Sequence, residues 1–477
     1  MKALFLLLCF ALTLTTARSA PTKPDHVILV MADDQGWGQM GYMGHPHLKT
    51  PHLDEMAAAS LRFDRFYSGG CTCSPTRASV MTGRSNERTG VMEHGYPLRL
   101  QEKTLASAMR GAGYLTAHFG KWHLNGLRGA GVPILKTDLH GPGAFGFDHW
   151  LSVTNFFDRN PLLSRDGEFT PFEGDSSEIV VAEALAHLKK YAATQPTFSV
   201  IWYGTPHDPF VATPEDRAPF AALSESHQNQ YGELVAMDRS IGALRAGLRD
   251  LGIAGNTILW FCSDNGGLAK MGPETVGGLR AGKGTLWEGG IRVPGLLEWP
   301  EQITSGRRTD LPAGTVDMFP TLAELVGLPA SSWIEPQDGI SLVPLIADTM
   351  TGRSRPLYFR QKGEGALVEA RYKYHRDRNG VASVYDLVAD PAETNDLSAA
   401  QPELSKRLAD AYQSWSESAD ASLAGTDYPE GQVDPNHPGD RSWIEAPEYA
   451  PYLEDFAKRP EYRKTLAGDG KPGKGGE

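Results

Sequence analysis

The chain has 477 residues, 40% of them hydrophobic and 22% charged, an ordinary globular composition with material for roughly two to three domains and a large core. Its formal net charge of −12 argues against a nucleic-acid-binding surface. The same acidity would repel polyanions, so any pocket for an anionic ester must be locally basic.

Met1 to Ala20 reads as a secretory signal: Lys2, an apolar run from Ala3 to Leu12, then small residues around Ala17-Arg18-Ser19-Ala20. The run is too short to cross a bilayer, and no later stretch approaches a membrane helix. A soluble mature protein, secreted or periplasmic, is expected. Removal of the segment takes Cys9 and leaves Cys71, Cys73 and Cys262, too few for a disulfide scaffold. A Cys71–Cys262 disulfide and a free pair of thiols both stay open.

Val27 to Ala32 is an unbroken apolar run, the mark of a strand buried on both faces of a parallel sheet. It ends in Asp33-Asp34-Gln35-Gly36. Thr50-Pro51 opens a helix to about Ser60. Next comes Cys73-Ser74-Pro75-Thr76-Arg77, in which Pro75 suits the first turn of a helix. That places Cys73 at or just before a helix N-terminus, where orphan N–H groups and the dipole would acidify a thiol.

A helix from Thr104 to about Ala112 leads into a strand from Tyr114 to Phe119, followed by Gly120-Lys121-Trp122-His123. Another, from about Ser177 to Ala192, precedes a strand from Phe198 to Tyr203 and then Thr205-Pro206-His207-Asp208-Pro209. Leu234, Met237, Ile241, Leu244 and Leu248 form a core-facing helical stripe. The strand after it, Thr257 to Cys262, ends in Ser263-Asp264-Asn265-Gly266-Gly267. This alternation predicts a doubly wound, mostly parallel sheet flanked by helices. Ligands in such sheets sit beyond the carboxyl ends of the strands, so four polar clusters distant in sequence should meet on one rim.

The α/β domain is placed at 24–350, with residues 125–175 as a loop-like insertion near the pocket. That insertion carries His140, His149, Trp150, Phe156, Phe157 and Arg159. Its aromatics read equally as a sugar platform or as a small core of their own. Over 355–424, short strands, turns at Lys362-Gly363 and Asn379-Gly380, and a helix from Pro402 to about Ser416 predict a smaller antiparallel sheet plus helix. From 425 to 477 the chain is rich in Pro, Gly and Glu and is expected to be extended or disordered.

Asp33, Asp34, Asp264 and Asn265 make an all-oxygen set, suited to calcium or magnesium rather than zinc. Each pair alone is more often a cap or a turn; both at strand ends, in a chain that also carries the Cys73 motif, point to a metal. Arg77 lies one turn beyond Cys73 and can return to the same helix end. Lys121 and His123, two apart in an extended segment, project to one side. His207 sits in a Pro-His-Asp-Pro turn. Lys283 lies in a segment, Ala281 to Arg292, whose glycines allow close backbone approach to a ligand.

The stretch Cys73 to Arg84, with Cys-x-Pro-x-Arg followed by Thr-Gly-Arg, resembles the signature of the type I sulfatases. The resemblance spans about Asp25 to Trp415 and takes in the Asp-Asp pair, Gly-Lys-Trp-His, the lone His207, Ser-Asp-Asn-Gly-Gly and Gly-Lys-Gly-Thr-x-x-Glu-Gly-Gly. Position 76 is Thr where Ser is common. The resemblance implies an alkaline-phosphatase-like fold and an arylsulfatase-type hydrolase of sulfate monoesters, with a sulfated glycan as a candidate substrate. It implies that a formylglycine-generating enzyme oxidises Cys73 to formylglycine. It also implies one calcium per chain, held by Asp33, Asp34, Asp264, Asn265 and the modified residue 73.

In the implied mechanism one hydroxyl of the aldehyde hydrate attacks sulfur. Lys121 and Lys283 neutralise the sulfuryl oxygens, His207 protonates the leaving alcohol, His123 is the base on the second hydroxyl, and Arg77 orients the hydrate. Two rival readings stand beside it: a phosphonate or phosphodiester hydrolase of the same superfamily, and a catalytically dead protein that binds sulfated glycans.

Overall fold

Seven consecutive buried residues, His26–Ala32, form β1 in the middle of the main sheet. The computed structural model describes residues 21–467; the expected signal segment and the closing run from Lys471 to Glu477 lie outside them. Alternate side chains of β1 point to opposite faces, as the period of a strand requires. Val27, Leu29 and Met31 enter one hydrophobic core, and Ile28, Val30 and Ala32 enter the other. A continuous apolar run is what two covered faces demand.

The other strands that matter for the site are β2 (Leu61–Tyr67), β3 (Leu115–Lys121), β4 (His149–Val153), β5 (Thr197–Trp202), β6 (Thr257–Ser263) and β7 (Arg292–Glu298). Among the described residues the main sheet has eleven strands, with β2-β7-β6-β1-β5-β3-β4 as its central order. From β6 to β4 all neighbours are parallel. β7 runs antiparallel between β6 and β2. The expected doubly wound, mostly parallel sheet is therefore present. Helices Ser176–Tyr191 and Glu225–Asp250 flank it, and the predicted stripe from Leu234 to Leu248 is buried.

Residues 125–175 are not loop throughout. Within them β4 joins the main sheet beside β3, and a hairpin, Leu162–Arg165 with Glu168–Pro171, extends it antiparallel. The expectation failed because β4 is short and pairs with a strand remote in sequence, so no local hairpin signal marks it. Phe157 belongs to the main core.

Strands Leu357–Gln361, Glu364–Glu369, Tyr372–Arg376 and Ala382–Asp386 form an antiparallel meander. Lys362 and Gly363 both have positive φ, 45° and 85°, as a two-residue primed hairpin turn needs. The helix on this sheet is Pro402–Leu423, longer than read from the sequence. Leu408, Tyr412 and Trp415 pack it onto Leu367, Tyr374 and Val384. The opposite face of the sheet, through Leu357, Phe359 and Val368, covers Tyr67, Leu286 and Ile291 of the larger unit.

The stretch after Gly425, expected as extended or disordered, is instead folded through residue 467. Arg441–Ser442 pairs in parallel with Leu127–Arg128. Trp443, Tyr449, Phe456 and Tyr462 are buried against Leu127, Val132 and Leu135. These aromatics have no helical or strand period, so composition hid them; three of the eight buried residues of their core come from the insertion. All three cysteines among the described residues are buried and unpaired, which settles the Cys71–Cys262 alternative in favour of thiols. No helix among the described residues is long and apolar enough to cross a membrane.

Candidate active site

Cys73 is the first residue of a helix, Cys73–Thr82, in which every residue is buried; Thr72 is its N-cap. The helix aims its N-terminus at the rim formed by the carboxyl ends of β1, β3, β5 and β6. Asp33 and Asp34 follow β1. Lys121 ends β3, with His123 two residues on. His207 follows β5, and Asp264 and Asn265 follow β6. The four clusters thus meet around one thiol.

Ligand atoms of Asp33, Asp34, Cys73 and Asp264 lie within 4.8 Å of one another, and those of Asp33, Cys73 and His207 meet the same limit. The Cys73 Sγ is 3.4 Å from Asp33 Oδ1. Lys121 Nζ is 2.5 Å from Asp33 Oδ2, and Lys283 Nζ is 2.6 Å from Asp34 Oδ1. Arg77 Nη2 lies 2.9 Å from Asp264 Oδ2 and 3.7 Å from Asp33 Oδ2. Its other terminal nitrogen donates to the Lys121 carbonyl at 3.0 Å. Asn265 donates from Nδ2 to Asp34 Oδ1 at 2.8 Å. His207 Nε2 is 3.9 Å from Asp34 Oδ2. Asp34 and His123 hold positive φ, 71° and 54°, a backbone state that persists where the surroundings over-determine it.

The expected acidified thiol is not found. Burial, with Asp264 and Asp33 close by, pushes Cys73 well above the usual thiol range. Two carboxylates and desolvation outweigh a helix dipole. Burial alone would raise Asp33, but Lys121, His207, Arg77 and Lys283 hold it well below the usual carboxylate range. Asp264 goes the other way: burial and Asp33 push it up to about 7. Burial and Lys121 hold His123 neutral, and both its ring nitrogens are buried without a hydrogen-bond partner among the described residues. Burial and Lys283 bring His207 down to about 4. Lys283 is raised: its acidic neighbours, Asp34 first, overcome its desolvation.

These residues fit a hard divalent cation. Three buried carboxylates converge, and burial with Asp33 beside it raises the pKa of one of them, Asp264. Asn265 Oδ1 is buried and has no hydrogen-bond partner among the described residues, an oxygen left for a ligand. An oxygen-rich set of this kind suits calcium or magnesium.

The Lys283 segment corrects one expectation. Three of its glycines, Gly282, Gly289 and Gly290, approach other backbone, while Gly284 faces open space. A Cβ on Gly290 would stand 2.1 Å from the Thr285 carbonyl, and one on Gly266 would stand 1.8 Å from that of Gly289. The Lys283 N–H donates to Gly267 at 3.0 Å. The loop is thus clamped onto the Asp264-Asn265 turn.

Trp202 and Lys373 carry no signal in the sequence, while Phe156 belongs to the aromatics expected near the pocket. Trp202, at the end of β5, lies under the Arg77 guanidinium, 5.0 Å from ring centroid to Cζ. Phe156 stacks on His207 with centroids 4.8 Å apart. The smaller sheet contributes Lys373, fully buried, at 3.2 Å from Glu288 and 2.7 Å from Glu393. Glu288 lies in the Lys283 loop and also accepts from Tyr67 at 3.0 Å. Nothing local in Tyr372-Lys373-Tyr374 marks that lysine, because both partners come from elsewhere in the chain. Lys373→Met leaves two buried carboxylates facing each other. It is expected to cost about 3–5 kcal/mol of stability, read as a lower urea midpoint at unchanged slope.

A sulfatase family model matches residues 25–328. Arylsulfatase A of Bos taurus is 33% identical over 449 residues, covering 83% of this chain and 83% of the relative. N-acetylgalactosamine-6-sulfatase of Sus scrofa is 31% identical over 401 residues, covering 74% and 72%. Among solved structures, that of Ps i-CgsB superposes with a TM-score of 0.75 at 24% identity, covering 93% of this chain and 100% of that one; at this identity the likeness speaks to the fold. A matched family over most of the larger unit, on a rim that gathers acids and cations around Cys73, leads to one conclusion: the chain belongs to the sulfatase family, type I sulfuric ester hydrolases of the alkaline-phosphatase-like superfamily.

Proposed function

We propose that this sulfatase is an exported, calcium-dependent enzyme of arylsulfatase type, with a sulfated carbohydrate as its natural substrate and formylglycine, made from Cys73 by a formylglycine-generating enzyme, at its centre. The observation that carries this reading is the ring of cations around Cys73. In a protein of net charge −12, Arg77, Lys121 and Lys283 all come within ion-pair distance of the acids beside one thiol. The name of the porcine relative places its sulfate on a sugar, which supports a carbohydrate substrate here.

With both groups in place, the aldehyde hydrate at position 73 supplies a nucleophilic oxygen, and calcium supplies a Lewis acid that lowers its pKa. Asp33, Asp34, Asp264 and Asn265 would hold the metal. Lys121, Lys283 and Arg77 supply positive charge for the sulfuryl oxygens, fixed in advance and needing no reorganisation as charge develops. His207, its ring flat against Phe156, is the candidate proton donor to the leaving alcohol. Free of substrate it is neutral at pH 7, because burial and Lys283 lower it. An incoming anionic ester offsets Lys283 and draws that pKa back up. His123, neutral with both nitrogens unpaired, is suited to accept a proton.

The test uses native, calcium-loaded protein. Nitrophenyl sulfate is expected to turn over faster than nitrophenyl phosphodiesters and phosphonates, and peptide mass spectrometry is expected to find oxygen in place of sulfur at residue 73. Faster phosphodiester cleavage would assign the chain to the phosphohydrolase reading. An unmodified thiol in all native material would leave only a binding role.

A further inference from the structure

A cavity of about 400 Å³ opens beside His207, within the range of roughly 300–1,000 Å³ common for small-molecule sites. Its link to the reaction centre is Phe156, which lines the cavity and also stacks on the His207 ring. Phe157, Leu162, Val211 and Tyr462 add apolar wall, and Asp158, Arg159, Asn160 and Glu461 bring polar groups, Glu461 being already paired with Arg459. The far wall comes from the C-terminal segment, Pro460 to Tyr462. That wall is anchored: Tyr462 is buried against Phe456, and Arg459 donates to the Asn160 carbonyl at 2.7 Å.

Two of the polar groups have unused capacity. Arg159 makes no hydrogen bond or ion pair among the described residues, and its Nε is buried without a partner. Its charge is felt at Asp216, which Arg239 already holds at 2.8 Å. The Asp158 carboxyl likewise makes no hydrogen bond among the described residues. Burial, with Asp175 and Asp208 near it, pushes that carboxyl well above the usual carboxylate range, which favours its neutral, hydrogen-bond-donating form.

A purely hydrocarbon occupant would bury Arg159 and Asp158 unpaired, which costs free energy. A pyranose fits both wall types, with C–H faces on Phe156 and Tyr462 and hydroxyls toward Asp158. A neutral sugar would still leave the guanidinium without a direct ion-pair partner. We propose that this cavity seats the ring next to the sulfated one, and that Arg159 pairs with an anionic substituent on that neighbouring ring, a carboxylate or a second sulfate. The inference rests on the carbohydrate-sulfatase reading and narrows it to substrates with two anions on adjacent residues.

The experiment takes full-length, calcium-loaded enzyme and disaccharides that share one scissile sulfated residue. Their neighbouring ring bears a carboxylate, a sulfate or hydroxyls only. Wild-type protein is expected to show a KM about tenfold lower for at least one anionic member than for the hydroxyl member, the scale of one charge-assisted pair. Which arm is favoured separates carboxylate from sulfate. In Arg159→Gln that ratio is expected to fall to about one, and Arg159→Lys is expected to keep part of it. No preference in the wild type, or a preference that survives in Arg159→Gln, overturns the proposal. Binding of the same disaccharides is read in parallel by calorimetry. An Arg159-dependent binding preference without any turnover, even of nitrophenyl sulfate, would locate the failure in the sulfatase reading and not in this pocket.

Discussion

Cys73→Ser protein is expected to bind calcium and yet lose turnover by about 10⁴-fold or more, the scale of removing a covalent nucleophile. The substitution leaves Asp33, Asp34, Asp264 and Asn265 in place, so the oxygen set that fits the metal survives. Calcium at 100 times its Kd should stabilise both proteins by about 2.7 kcal/mol if it binds only the folded state. What the variant lacks is a second hydroxyl on the reacting carbon. A serine oxygen that has taken the sulfuryl group has no neighbour able to expel it. The expected record is an equal calcium-dependent rise in unfolding midpoint, no steady-state sulfate release, and at most one sulfate per chain by mass spectrometry. Sulfate release within tenfold of wild type would show that residue 73 is not the nucleophile's source. The raised pKa of the buried thiol points the same way, because an unmodified Cys73 would rest protonated and unreactive.

Arg77→Leu is expected to damage both stability and rate. Arg77 is wholly buried, pairs with Asp264 at 2.9 Å, binds the Lys121 carbonyl at 3.0 Å and rests on Trp202. Removing it leaves Asp264 with Asp33 and Asp34 nearby and one cation fewer. Breaking a buried pair on one side typically costs about 3–5 kcal/mol. Losing one preorganised charge at the developing sulfuryl oxygens should cost about 10²–10³ in kcat. Calcium should recover part of the stability, since it supplies charge to the same carboxylates, but not the rate. Arg77→Lys is the control: it keeps the charge and loses the planar fork, so it should hold stability better than Leu. Urea unfolding with and without calcium, beside kcat on nitrophenyl sulfate, reads both effects. An Arg77→Leu protein as stable as wild type without metal would refute this account of the acid cluster.

The sequence reading succeeded where information is local. The apolar run of β1, the helical stripe from Leu234 to Leu248 and the Lys362-Gly363 turn each carry their structure within a few residues. The polar clusters after β1, β3, β5 and β6 could be brought together in advance because parallel topology sends all four strand ends to one rim. The reading faltered where partners are remote. β4 is recognisable only beside β3. Trp443, Tyr449, Phe456 and Tyr462 form a core only with Leu127, Val132 and Leu135 of the insertion. Lys373 and Glu288 make sense only as a buried pair 85 residues apart.

By itself, then, the sequence determined the sheet class, the residues gathered on its rim and the family signature at Cys73, because chain order and strand direction encode these. Only the tertiary structure decided the protonation of that rim. Whether Cys73 is acidified, Asp33 charged or His207 neutral depends on burial and on charges a few ångströms away. It also decided that the C-terminal segment closes a cavity beside His207, since that wall exists only after two distant stretches of chain have packed together.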